Sequence, residues 1–117
     1  MDRDYNSTVA EVKPLELITA RHAARTEDSL ALLSAVADPV RWTVLRHLAQ
    51  NGTSCVCDLQ DQVPVAANLL SYHLKVLREA GLVTSARRGR WIDYTLAPDA
   101  AERLAASLPV DTSRISP

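Results

Sequence analysis

The feature that most constrains the fold of this chain is a change of apolar period at Gly81. Before it, Leu70, Leu74 and Leu77 recur at steps of four and three, so they line one side of a helix from about Ala67 to Ala80, with Gly81 as its cap. After it, Leu82 to Arg87 and Arg90 to Leu96 are rich in Val, Thr, Trp, Ile and Tyr and read at period two. They predict two strands around an Arg88-Gly89 turn, a hairpin wing attached to the end of the helix. Trp91 and Tyr94 are expected to pack the hairpin against the helices, with Glu79 and Asp93 as surface charges.

The segments upstream are helical. Leu30, Leu33, Val36 and Ala37 recur at helical spacing from Glu27 to Ala37, and Asp38-Pro39 stops that helix because proline drives its predecessor out of the α region. Pro39 suits the first turn of the next helix, which buries Val40, Val44, Leu45 and Leu48 and stops at Asn51-Gly52. A third helix, capped by Thr53 or Ser54, is expected to run to about Gln62. Val63-Pro64-Val65 then forms a short turn, so the third and fourth helices make a helix-turn-helix. Pro98 opens a last helix to about Leu108, with Ala101, Leu104, Ala105 and Leu108 on its apolar face. Residues 1–26 read as an N-terminal arm with a short helix from Leu15 to Arg25, residues 27–108 as the folded domain, and 109–117 as a tail. The fold class is mostly α with a small β-hairpin.

At 117 residues the chain has room for one modest core and shows no obvious enzyme cleft. No run of about 18 apolar residues is present to span a bilayer, and the N-terminus lacks a signal-peptide core, so a cytoplasmic protein with no membrane partner is expected. Net charge is −1, yet Lys75, Arg78, Arg87, Arg88 and Arg90 crowd into residues 71–90 against the single acid Glu79. Such a local excess suits phosphate contact, where each neutralised phosphate releases a condensed counterion. A solvated basic face is the plainer alternative.

The only two cysteines, Cys55 and Cys57, stand one residue apart at the start of the third helix. Thiols are kept reduced in the cytoplasm, and this spacing is expected to disfavour an unstrained disulfide, which leaves thiolate chemistry. Thiolate sulfur is a soft donor suited to As(III), Sb(III), Cd(II), Pb(II), Cu(I) and Zn(II). On a regular helix residues i and i+2 point about 200° apart, so both sulfurs reach one ion only if the first turn unwinds. That unwinding is the expected switch. The plainer reading makes the pair small packed residues. A structural zinc site would need four ligands, and His22, His47 and His73 form no ligand pattern, although His22 is the one to keep in view as a third ligand.

In order and spacing, LSAVADPVRWTVLRHL, CVCDL, LSYHLKVLREAGLV and RRGRWIDYTL over about residues 30–96 resemble the ArsR/SmtB family of metal-sensing winged-helix repressors. The resemblance implies a homodimer joined through the first and last helices, bound to a twofold-symmetric operator in double-stranded DNA, and released when metal binds. It also implies As(III) or Sb(III) as the inducer at Cys55 and Cys57, with Cd(II), Pb(II) or Zn(II) as alternatives. Two departures stand out. Gln60 occupies the place of a third cysteine common in arsenic sensors, and Ala66-Ala67-Asn68-Leu69 replaces the usual start of the recognition helix. No histidine lies on the last helix, where other members hold zinc, nickel or cobalt.

With Leu70, Leu74 and Leu77 turned inward, Asn68, Ser71, Tyr72 and Lys75 face out toward base edges or phosphates. Ser71 and Tyr72 match positions that the family uses for this. Leu69 is placed to touch a thymine methyl, and His73 sits on the border between packing and DNA contact. Arg87, Arg88 and Arg90 at the hairpin tip are candidates for phosphate or minor-groove contact. Two further functions remain open: a thiol-redox-responsive or constitutive repressor of the same fold, the redox version needing mixed or intersubunit disulfides, and a thiol-dependent reductase. For the reductase the sequence offers no cofactor loop and no acid/base partner.

Overall fold

A computed structural model of the chain describes residues 14–110, with side chains from Arg25 onward. The elements in order are α1 (Pro14–Val36), α2 (Pro39–Asn51), β1 (Ser54–Cys55), α3 (Val56–Gln62), α4 (Ala67–Glu79), β2 (Val83–Arg88), β3 (Trp91–Leu96) and α5 (Ala100–Ser107). The expectations for residues 1–13, for the 111–117 tail and for the His22 side chain lie outside the described part.

Sequence and structure agree on why the central helices form. Asp38 sits in extended conformation and its carboxylate accepts from the Val40 and Arg41 amides at 2.8 and 3.1 Å, capping α2 while Pro39 fills its first turn. Gly52, at φ 78°, ends α2 where a side chain would be strained. Leu59 of α3, Leu70, Leu74 and Leu77 of α4, Leu82, and Val44 and Leu48 of α2 form the fully buried centre. Truncating any of these leucines to alanine is worth about 2–5 kcal/mol.

Four expectations need correction. First, α1 is one continuous helix through residue 26, and among its residues with described side chains the buried ones are Leu32 and Ala35, while Leu30 is 61% exposed. The helix packs chiefly on α5 and more lightly on α2 and α4, which turns the 32/35 side inward and leaves the Leu30 side open. Second, the stretch expected to open α3 is instead the short strand β1. Ser54 and Cys55 pair antiparallel with Tyr94 and Asp93 of β3, giving a three-stranded sheet in the order β1-β3-β2. Third, the hairpin loop is Gly89-Arg90, because Arg88 pairs with Trp91. Gly89 takes φ 64°, the positive value favoured at the first position of a tight two-residue hairpin loop. Fourth, Tyr94 is buried as expected, but Trp91 is 43% exposed and has the Arg90 guanidinium 5.8 Å from its ring.

Alternation along β3 sorts the sheet into two faces. Tyr94 and its partner Ser54 point into the core, whereas Cys55, Asp93, Ala86 and Arg88 share the opposite face. Thr53 and Thr95 extend that outer face with a hydroxyl contact at 2.9 Å.

Candidate metal centre and nucleic-acid interface

Cys55 and Cys57 are joined by a disulfide, with Cα atoms 5.3 Å apart. This overturns the expectation that their spacing disfavours a mutual bond. The reason is local. Cys55 is not within a helix but is the extended residue before α3, at φ −77° and ψ 163°, so its side chain is not fixed opposite that of Cys57. The same fact removes the proposed need to unwind the helix: the two sulfurs already meet at the β1–α3 junction. An intersubunit bond is not needed for this pair to be oxidised.

Asp58 lies beside them. The Cys55 and Cys57 sulfurs and an Asp58 carboxylate oxygen fall within 4.8 Å of one another, the one group of three or more such donors among the described residues. Cys55 is half-buried, while Cys57 and Asp58 are exposed. Two sulfurs freed by reduction and one hard oxygen would be a donor set that fits Zn(II) or Cd(II). Gln60 plays another part. Its side-chain amide donates to Val65 O at 2.6 Å and Val63 O at 3.3 Å, bracing the turn between α3 and α4.

The outer face of the sheet adds a charged pair. Arg88 donates to Asp93 through Nε at 2.8 Å and Nη2 at 3.1 Å, a two-pronged contact. That hydrogen bonding holds the Asp93 carboxyl below its usual range and keeps Arg88 protonated beyond its own, with Asp58 adding a smaller attraction for Arg88. Asp93, expected as a surface charge, is paired with Arg88 and largely sheltered.

On α4 the outward residues behave as the spacing predicts. Asn68, Ser71, Tyr72 and Lys75 are exposed along one stripe, and Leu69 is partly exposed next to them. Lys75 lies 4.0 Å from Glu79 across one turn. His73 does not join this stripe. It is only 7% exposed, and its Nδ1 accepts from Arg41 at 2.8 Å, with Asp38 at 3.8 Å. Arg41 also donates to Ala35 O at 2.6 Å, so one guanidinium ties the end of α1 and the start of α2 to the recognition helix. Asp38 has its carboxyl held low, first by the Arg41 amide. Sequence periodicity could not find this network, because a histidine inside an apolar stripe carries no sign of its partner.

A second tie fixes the other end of α4. Arg103 of α5 donates to Gly81 O at 2.9 Å and Ala80 O at 3.0 Å, satisfying carbonyls just past the end of the helix. Arg87, Arg88 and Arg90 are all exposed at the hairpin, but Arg88 is engaged with Asp93.

Residues 38–85 match the model of the bacterial regulatory protein arsR family. A solved structure described as a possible transcriptional regulator for arsenical resistance superposes at a TM-score of 0.63 with 34% identity, covering 73% of this chain and 85% of that one. The chain belongs to the ArsR/SmtB family. This ArsR/SmtB member is 44% identical over 62 residues to the arsenical resistance operon repressor of Bacillus subtilis, covering 53% of this chain and 59% of that protein. It is also 44% identical over 66 residues to the transcriptional repressor SmtB of Mycobacterium tuberculosis, covering 56% of this chain and 48% of that protein. The chain thus spans about half to six-tenths of those two relatives. Its fold is a winged helix-turn-helix, and its relatives are transcriptional repressors rather than enzymes. No helix among the described residues is long and apolar enough to cross a membrane.

Proposed function

We propose that this chain is an ion-responsive repressor that binds operator DNA as a homodimer and releases it when a thiophilic ion binds the reduced Cys55 and Cys57. The observation that carries the reading is the convergence of both sulfurs and the Asp58 carboxylate within 4.8 Å, at the junction leading into the helix-turn-helix. α3 is only seven residues long and is joined to α4 through the turn braced by Gln60, so displacement at Cys57 or Asp58 reaches the reading helix over a short rigid path. Asn68, Ser71, Tyr72 and Lys75 are the proposed major-groove contacts, with Arg87 and Arg90 at the wing for phosphates. His73 acts instead by holding α4 in place. Dimerisation through α1 and α5 is supported by the open Leu30 side of α1.

As(III) or Sb(III) is favoured by the arsenical repressor among the relatives. Cd(II), Pb(II) or Zn(II) is the second reading, and the specific observation behind it is the carboxylate of Asp58, a donor that suits divalent ions better than a metalloid.

Fluorescence anisotropy tests this, using an operator duplex selected from random DNA by the reduced, ion-free protein. Arsenite, antimonite, Cd(II), Pb(II) and Zn(II) are added in turn. At least one should weaken binding by about 5–150-fold, the usual span of allosteric coupling, and Cys57→Ser should abolish that response. Unchanged affinity with every ion would defeat the proposal.

A further inference from the structure

Strand pairing brings Cys55 and the wing residues Asp93 and Arg88 onto one face of the sheet, with Asp58 following three residues after Cys55. Cys55 lies directly opposite Asp93 in the β1–β3 ladder, and side chains of such partners leave the sheet on the same side with Cβ atoms about 4.5–5.5 Å apart. An ion held about 2.3 Å from a sulfur and about 2.0–2.2 Å from a carboxylate oxygen spans such a gap after rotation about the Asp93 side-chain bonds. With the Cys55–Cys57 disulfide closed, the Asp93 carboxylate accepts from Arg88 at 2.8 and 3.1 Å. Asp93 is well sheltered, with 18% side-chain exposure, while Arg88 keeps 64%, so the guanidinium can swing away without disturbing the core.

We infer that, once a dithiol reductant has cleaved the disulfide to two thiols, itself becoming a disulfide, Asp93 is a fourth, switchable donor to the ion at Cys55, Cys57 and Asp58, held by Arg88 until a divalent cation displaces that guanidinium. This rests on the proposed ion site and deepens its second reading, that of a divalent cation. Two thiolates and two carboxylates carry four negative charges, a tetrahedral set suited to Cd(II) or Zn(II), whereas a metalloid gains little from carboxylate oxygen. Binding releases the two thiol protons to solvent and exchanges the single charge of Arg88 for the double charge of the ion. Arg88, at the end of β2, then loses the anchor that fixes it beside the wing loop. Occupancy of the site is thereby communicated to the wing as well as to α4.

The test titrates Cd(II) into the reduced full chain against a competing chelator, following the ultraviolet charge-transfer absorption of cadmium thiolates. Asp93→Asn should weaken Cd(II) binding about tenfold or more. Arg88→Ala should tighten it by about two- to fivefold, because it removes the competitor, the size expected of an exposed ion pair. Arsenite affinity should be the same in both variants. Unchanged Cd(II) affinity in Asp93→Asn, or affinity that fails to rise in Arg88→Ala, overturns the inference. Arg88→Ala decides alone if Asp93→Asn does not fold. Cys57→Ser separates the two levels: loss of the absorption there with Asp93→Asn unaffected refutes only the fourth donor, while an unaltered band in Cys57→Ser refutes the ion site itself.

Discussion

Replacing Arg41 by methionine removes its guanidinium while keeping most of the side-chain stem, and so isolates the network that holds the recognition helix. Two hydrogen bonds disappear, one to Ala35 O at 2.6 Å and one to His73 Nδ1 at 2.8 Å. Hydrogen bonds involving a charged partner contribute about 1.5–3 kcal/mol each. Arg41 is half-buried, so partial screening argues for the lower end, and the expected loss is about 2–4 kcal/mol. Part of that cost is the His73 nitrogen left without its partner inside the protein, since His73 is only 7% exposed. Urea unfolding followed by circular dichroism should show the midpoint fall by roughly 1–2 M, given slopes of about 1–3 kcal/mol per molar for small domains. In a His73→Ala background the same Arg41→Met change should cost about 1 kcal/mol less, because the shared bond is already gone. A loss below about 0.5 kcal/mol, or strictly additive losses in the double variant, would refute the coupling of Arg41 to His73.

Three shorter predictions concern the cap, the turn and the groove. Asp38 has a lowered carboxyl pKa, so its stabilisation is complete above the ordinary carboxylate range and is lost as pH falls through the lower folded value. Asp38→Ala should therefore cost about 1 kcal/mol at pH 7, with the gap to the parent closing below about pH 4 in urea unfolding. Gln60→Ala should cost about 1 kcal/mol and increase amide hydrogen exchange at Val65 and Ala67, since it removes the bonds to Val63 O and Val65 O. For DNA binding, Lys75→Ala and Arg90→Ala should each reduce the slope of log affinity against log salt by about one; a slope unchanged in both would remove these residues from the phosphate contacts.

What the sequence made legible was whatever rests on periodicity and on backbone chemistry. The leucine stripe of α4, the Asp38-Pro39 start of α2 and the HTH turn follow from local rules and lie where those rules put them, and the paired strands lie within one residue of their expected places. The elements that differ from these expectations depend on non-local pairing. β1 is two residues long, too short to show alternation, and exists because Tyr94 and Asp93 stand opposite. The face of α1 is chosen by α5, near the far end of the chain, so Leu32 and Ala35 are buried, Leu33 and Val36 are half-buried, and of the expected leucines and valine only Leu30 faces out. The candidate site divided in the same way. Both cysteines were readable as a pair of soft donors, and Asp58 stood next to them in plain view. Arg88 with Asp93, and His73 with Arg41, join residues five and 32 positions apart, and nothing in the spacing revealed them. The disulfide runs against the expectation drawn from the one-residue spacing, because the extended backbone at Cys55, which spacing alone does not reveal, lets its sulfur reach that of Cys57.

The central claim, that the thiols of Cys55 and Cys57 govern operator affinity by holding an ion, is tested most directly on one unmutated chain in two redox states. Operator anisotropy is measured without ion, with arsenite and with Cd(II), on protein kept reduced and on protein with the Cys55–Cys57 disulfide intact. Arsenite or Cd(II) should weaken binding of the reduced form by about 5–150-fold and leave the disulfide form unaffected. Equal responses of the two forms, or no response of the reduced one, would contradict the account.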